Sequence, residues 1–365
     1  MTTDLRTALA ERLDAAEPPP PDLARVLHDG TTLRRRRRAV VAGASGLGLV
    51  VAAGSVGLAT LGGGSDGTGI DESAYASLGA LDFSHGVRAY ADPGNEIHLG
   101  GRTFPADDLG WLDTDAVATP YGIVFFDEGR PGLLRETGNV VSLDDTAQKA
   151  PGGFHPTAKA DVTGDLAAWA TWREGVATIT VRDMATGKDV ATVDVECSNT
   201  ECTDVVIDGI DGGAVFVRDA EGTRIWDSAT GDWTDFAGPE TRVADVRNGV
   251  VLYDGPAPTT PGDWQPAAGS IDAQLSHDGR HVLDWSSTLE PVDPRDDPIV
   301  LEQGPADGMG AAWWTFDTDG SVLVVTGKNY GDFTVYDCKL PSGACVAVGP
   351  LRTTSGDPEF IGNDM

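Results

Sequence analysis

A turn glycine followed at once by a short apolar run recurs six times in this chain: YGIVFF at Gly122, GDLAAWAT at Gly164, GGAVFV at Gly212, NGVVLY at Gly249, DGRHVLDW at Gly279 and DGSVLVV at Gly320. The spacings are 42, 48, 37, 30 and 41 residues. Most runs follow another strand-like segment, AKADV, TDVVI, TRVADV, SIDAQLS and AAWWTF in turn. Three are followed by a further hairpin, in VRDMATGKDVATV, IWDSATGDWTDF and VYDCKLPSGACVAV. There a strand ends in Asp183, Asp227 or Asp337, a turn closes at Gly187, Gly231 or Gly343, and a strand returns. About four strands per repeat of about 40 residues predicts an all-β propeller, in which each blade covers its neighbour's apolar face.

Two stretches carry a family resemblance. IWDSATG holds Trp226-Asp227 at the end of a third strand, and LSHDGRHVL is similar to the S-P-D-G signature of TolB-like blades, with His277 in place of the proline. The region from about 87 to 363 thus resembles WD-repeat and TolB-like propellers. Strand-like leftovers sit at both ends of that region, GVRAYADP, EIHLGG and RTFPAD at the start and DPEFIGND at the finish. Joined, they make one more blade and remove open sheet edges. Seven blades is the preferred count, with six or eight as alternatives.

Ahead of this domain, Arg34, Arg35, Arg36, Arg37 and Arg38 abut an uncharged run from Ala39 to Leu61. A helix of that length matches a hydrocarbon core of about 30 Å. The far flank, GGGSDGTGIDES, has acids and no base, so the arginines predict a cytoplasmic N-terminus and an exterior C-terminal domain. The leader is too long, and LATLGGGS too unlike an A-x-A site, for a cleaved export signal to be the first reading. The expected organisation is a cytoplasmic tail at 1–38, a transmembrane helix at 39–61, a linker at 62–86 and the propeller at 87–365. The tail carries Leu5, Leu9 and Leu13 at helical spacing before EPPPPD breaks the pattern, and is either disordered or a docking peptide for a cytoplasmic protein.

Four cysteines form two local pairs, Cys197 with Cys202 and Cys338 with Cys345. Local disulfides are expected, because a four-thiolate metal site needs C-x2-C spacing. Disulfides persist in oxidising compartments, which agrees with an exterior domain at a bacterial cell envelope. The formal net charge of −31 repels phosphate backbones and disfavours nucleic acid as a partner.

Chemistry is sparse. His277 and His281 in HDGRH lie on a turn, with no third ligand nearby in sequence. Asp208 with Asp211 and Asp317 with Asp319 lack a complete calcium loop and read as Asp-Gly turns. GGSDG around Ser65 is the only G-x-S-x-G match and falls in the linker. Adjacent Trp313 and Trp314 project to opposite sheet faces if they lie in a strand. No catalytic, cofactor or metal residue is nominated. Two Pro-rich connections, GPAPTTPGDWQPAAG and TLEPVDPRDDPIVLEQGPADG, supply the candidate contact loops, with Trp264, Asp293, Arg295, Asp296 and Asp297 as contact residues. The sequence therefore points to a membrane-anchored interaction or ligand-binding module for an envelope protein or ligand. The alternatives are a transmembrane regulator and a propeller hydrolase or lyase acting on envelope polymers.

Overall fold

Five of the recurrent glycines mark turns between the first and second strands of their sheets, and Gly164 lies outside the described residues. Gly122, Gly212, Gly249, Gly279 and Gly320 all have positive φ, from 59° to 138°. Gly122 has no alternative, since a Cβ there would lie 2.2 Å from the Leu134 carbonyl oxygen at a φ of +138°. The computed structural model describes residues 89–360 with short breaks, the longest at 106–115, 149–156, 199–204, 303–311 and 353–358. The tail, Arg34 to Arg38, the apolar run 39–61 and the linker lie outside the described residues. Among the described residues every regular element is a strand, and no helix is long and apolar enough to cross a membrane.

The chain enters with β1 (Tyr90–Asp92), β2 (Glu96–Leu99) and β3 (Arg102–Pro105). Six blades of a β-propeller follow, each drawn from one continuous stretch. The first holds β4 (Val117–Thr119), β5 (Gly122–Asp127), β6 (Arg130–Leu134) and β7 (Val140–Ser142). The second holds β8 (Ala158–Ala160), β9 (Leu166–Arg173), β10 (Val176–Asp183) and β11 (Lys188–Glu196). The third holds β12 (Val206–Asp211), β13 (Ala214–Asp219), β14 (Gly222–Asp227) and β15 (Trp233–Ala237). The fourth has three strands, β16 (Arg242–Arg247), β17 (Val250–Asp254) and β18 (Gln265–Ala268). The fifth holds β19 (Gln274–Leu275), β20 (His281–Leu283), β21 (Thr288–Pro291) and β22 (Ile299–Val300). The sixth holds β23 (Ala312–Phe316), β24 (Val322–Asn329), β25 (Asp332–Lys339) and β26 (Ala344–Arg352). A last strand, β27 (Glu359–Phe360), pairs antiparallel with β1 through Tyr90 and Phe360, giving a sheet ordered β27, β1, β2, β3.

Strand alternation builds the cores between these sheets. Ala168, Ala170, Ile179 and Val181 face Ile207, Val215 and Val217 of the next blade. Trp313 and Trp314 do project to opposite faces. Trp313 packs with Tyr90 and Phe333, its ring edge-on to Phe333, and Trp314 packs against Val322 and Val324 with the fifth-blade leucines. Side chains also bond the innermost strands across blades. Ile207 N–H donates to Thr157 Oγ1 at 3.0 Å, and Phe316 N–H to Gln274 Oε1 at 3.2 Å.

The two Pro-rich connections are more structured than their composition suggests. The second contains β21 and β22; Pro291 ends β21 opposite His281, and the Val292 N–H just beyond it donates to the Arg280 carbonyl at 2.7 Å. The first crosses over to β18, which pairs with β17 in parallel rather than antiparallel.

Candidate functional site

The first strands of all six blades line one cavity of about 290 Å³. Each strand is short, so the residues just before and just after it also reach the cavity. Arg242 and Asp272 lie at or ahead of strand starts, and Asp161, Arg247 and His277 at or beyond strand ends.

The charges here are largely paired inside the cavity wall. Arg218 Nε donates to both Asp208 carboxylate oxygens, at 3.1 and 3.2 Å. Arg247 Nε does the same to Asp245, at 3.1 and 3.3 Å. Asp161 has no basic partner among its hydrogen bonds; its Oδ1 accepts from Thr163 Oγ1 at 2.9 Å and from the Leu166 N–H at 3.3 Å. Burial pushes the Asp161 carboxyl up to about 6, against those two bonds and with help from the charges of Asp165 and Asp211. Burial likewise pushes His277 down to about 4, and the positive Arg247 adds to the effect. At neutral pH the imidazole is therefore uncharged. The cavity offers fixed dipoles and paired charges, a carboxyl that titrates near neutrality, and a neutral ring, which together suit a polar ligand or a protruding peptide loop.

The sequence expectations meet this geometry unevenly. Asp208 and Asp211 separate, Asp208 to Arg218 and Asp211 to the Gly249 N–H at 2.7 Å. Asp317 caps its own turn by accepting from the Thr318 N–H, and Asp319 receives Lys339 Nζ at 2.7 Å. His277 faces the cavity whereas His281 Nε2 meets the Asp297 carbonyl at 3.2 Å, so HDGRH divides its two rings. Ser276 fixes the turn between them by accepting from the Arg280 and His281 N–H groups. Among the described residues no three His, Cys, Asp or Glu side chains gather as a metal group.

The candidate contact residues fall into two sets. Asp293, Arg295, Asp296 and Asp297 share the connection between β21 and β22, where Arg295 pairs with Asp293, and Arg280 Nη2 reaches Asp296 at 2.9 Å. Trp264 stands apart from them. Its ring lies edge-on to Phe216 at 4.9 Å and packs on the core between the third and fourth blades, anchoring the crossover to β18. Cys338 and Cys345 face each other across β25 and β26 and are joined by a disulfide. Cys197 is disulfide-bonded on the passage from β11 to β12, between blades rather than within a hairpin, and Cys202 lies outside the described residues.

Asp161, Arg218, Asp245 and Arg247 escaped the sequence reading. Their signal was present as charges set beside apolar strand residues, in KADV for Asp161, VFVRD for Arg218 and RVADVR for Asp245 and Arg247.

No protein-family model matches the chain, and no curated protein matches it. Among solved structures it is similar to TolB from Acinetobacter baumannii, at 14% identity and a TM-score of 0.31 over 68% of this chain and 55% of that one. It therefore spans little more than half of that protein. It is also similar to U3-55K, at 15% identity and a TM-score of 0.36 over 68% and 83% of the two chains. A third similarity, to a prolyl endopeptidase, has 13% identity and a TM-score of 0.38 over 78% and 53%. The propeller assignment rests on the strand order and registers described above.

Proposed function

We propose that this protein is a membrane-anchored, extracytoplasmic propeller that serves as an interaction or ligand-binding module and uses its central cavity for recognition. In this reading the sheet of β27, β1, β2 and β3 is a seventh blade that closes the ring. The exterior placement is supported by the Arg34 to Arg38 block ahead of an uncharged run, and by the disulfides of the domain behind it. The observation that carries the recognition role is the cavity itself, walled by six first strands and furnished with Asp161, His277 and two internally neutralised ion pairs. Nothing in that furniture pairs a nucleophile with a base, so binding without turnover is the function proposed.

In-cell crosslinking with mass spectrometry tests this on the full chain, on the Asp161→Asn and His277→Leu variants, and on a form lacking residues 1–33. Partners or ligands lost from the cavity variants support the reading. Partners lost only on removing the tail shift recognition to the cytoplasmic side, and no enrichment in any form overturns it.

A further inference from the structure

The second blade shows two different faces. Towards the third blade, Ala177, Ile179 and Val181 of β10 are buried in a common core. Towards the first blade, the centre of the sheet is apolar, with Ala167 and Trp169 packed on Val124, Leu133 and Leu143. The outer part of that same face carries Thr178 and Thr180 from β10 and Thr192 and Asp194 from β11. The neighbouring blade cannot cover this outer part. Its last strand, β7, has 3 residues, against 8 in β10 and 9 in β11. The result is a cleft of about 840 Å³, closed at its rim where Arg173 reaches over to Thr146 and Asp144.

Two residues that line the cleft each carry a buried donor without an acceptor. Trp169 is 0% and Arg182 is 4% exposed, and neither Trp169 Nε1 nor Arg182 Nη1 has a hydrogen-bond partner. Arg182 is locked in place, since its Nε donates to Asp189 Oδ1 at 2.6 Å and its guanidinium lies 5.1 Å from the centre of the Trp169 ring. Buried donors left unpaired are costly, and native proteins rarely tolerate two side by side.

The surrounding chemistry selects what could satisfy them. Asp144, Asp145, Asp189 and Asp194 outnumber Arg173 and Arg182, so an anion is repelled by the cleft as a whole. A cation would meet the guanidinium of Arg182. A neutral ligand rich in hydroxyl groups supplies oxygen acceptors to Trp169 and Arg182, and hydroxyl donors to the carboxylates and threonines. We propose that this cleft is a binding site for a neutral saccharide, separate from the central cavity and independent of its role. Its volume accommodates a short oligosaccharide.

The test titrates the full chain, kept free of sugar-based detergent, with maltotriose, cellotriose and chitotriose. Trigalacturonate and inorganic phosphate serve as anionic comparators, and calorimetry and tryptophan fluorescence report binding. The expected result is saturable binding of at least one neutral trisaccharide and of neither anion. Asp194→Asn and Thr192→Val, both at exposed positions where folding is not at stake, each weaken that binding by about tenfold. Asp161→Asn in the central cavity leaves it unchanged, so this site and the cavity fail or stand separately. Absence of binding by all three trisaccharides, tighter binding of either anion, or indifference to both cleft substitutions overturns the proposal.

Discussion

Asp245 of β16 accepts a hydrogen bond from the backbone N–H of Leu275 in β19 at 2.9 Å, while both its oxygens hold Arg247. One carboxylate thus ties a cavity arginine to the exposed backbone edge of the next blade. An innermost strand has no ladder partner on its inner side, so a neighbour's side chain must satisfy that donor.

Replacing Asp245 by alanine leaves the Leu275 N–H and the Arg247 guanidinium without their acceptor. Asp245→Ala is expected to lower stability by about 2 kcal/mol, and Asp245→Asn, which keeps an acceptor for Leu275, by clearly less. Urea unfolding midpoints measure the difference. Equal losses in the two variants would show that the inter-blade bond contributes nothing.

The third and fourth blades approach closely at Gly209, where an added Cβ would lie 2.7 Å from Val246 Cγ2. Gly209→Ala overpacks that contact and is expected to cost about 1–3 kcal/mol. Val246→Ala removes the offending methyl groups, so the double variant should recover part of the loss despite containing two substitutions. A double-mutant cycle with simple additivity would contradict the contact.

Asp161 and His277 give opposite pH dependences. The folded-state pKa of Asp161 is raised from 3.8 to about 6, so its contribution is fully favourable below 3.8 and is lost as pH rises through about 6. That of His277 is lowered from 6.5 to about 4, so its contribution is present above 6.5 and is lost as pH falls through about 4. Asp161→Asn should therefore raise stability at pH 7, by up to about 2 kcal/mol, and do little at pH 4. With Asp161 gone, acidification from 6.5 towards 4 should be purely destabilising. Denaturant melts across this range, together with an NMR titration of the His277 ring, check both signs.

The disulfide between Cys338 and Cys345 closes a loop with a sequence separation of 7. Opening it by Cys345→Ser should lower stability by about 2 kcal/mol on chain-entropy grounds. The measurement is the thermal midpoint, compared with that of the wild-type chain before and after reduction. Cys338, which is fully buried, is the less suitable position to substitute because the cavity left behind would add its own cost.

The recurrent Gly-run motif located the blades because it combines two local requirements, a positive φ at the turn and a buried second strand. All six second strands, from β5 to β24, begin within two residues of the recurrent glycines or at them. The Asp-to-Gly hairpins at Asp183 and Asp227 were legible for the same reason: the Gly187 and Gly231 N–H groups both bond back to the aspartate carbonyl at 2.8 Å. In the third such hairpin the turn opens at Lys339 instead of Asp337, and Asp337 pairs with Lys339 Nζ at 3.2 Å. The Pro-rich connections hold β18, β21 and β22 as well as turns, and these strands were not legible because outer strands tolerate proline and show no burial alternation.

By itself the sequence determined the strand-and-turn repeat, the position of each first turn, and the local pairing of the C-terminal cysteines, since each depends on residues close together in the chain. Tertiary structure alone decided which charges meet. Asp161, Asp208, Asp245 and His277 come from four different blades, and Trp169 Nε1 and Arg182 Nη1 are left without an acceptor where the second blade meets the first. Those relationships arise from how sheets stack around an axis, and no local pattern of residues encodes the distance between two strands that never pair.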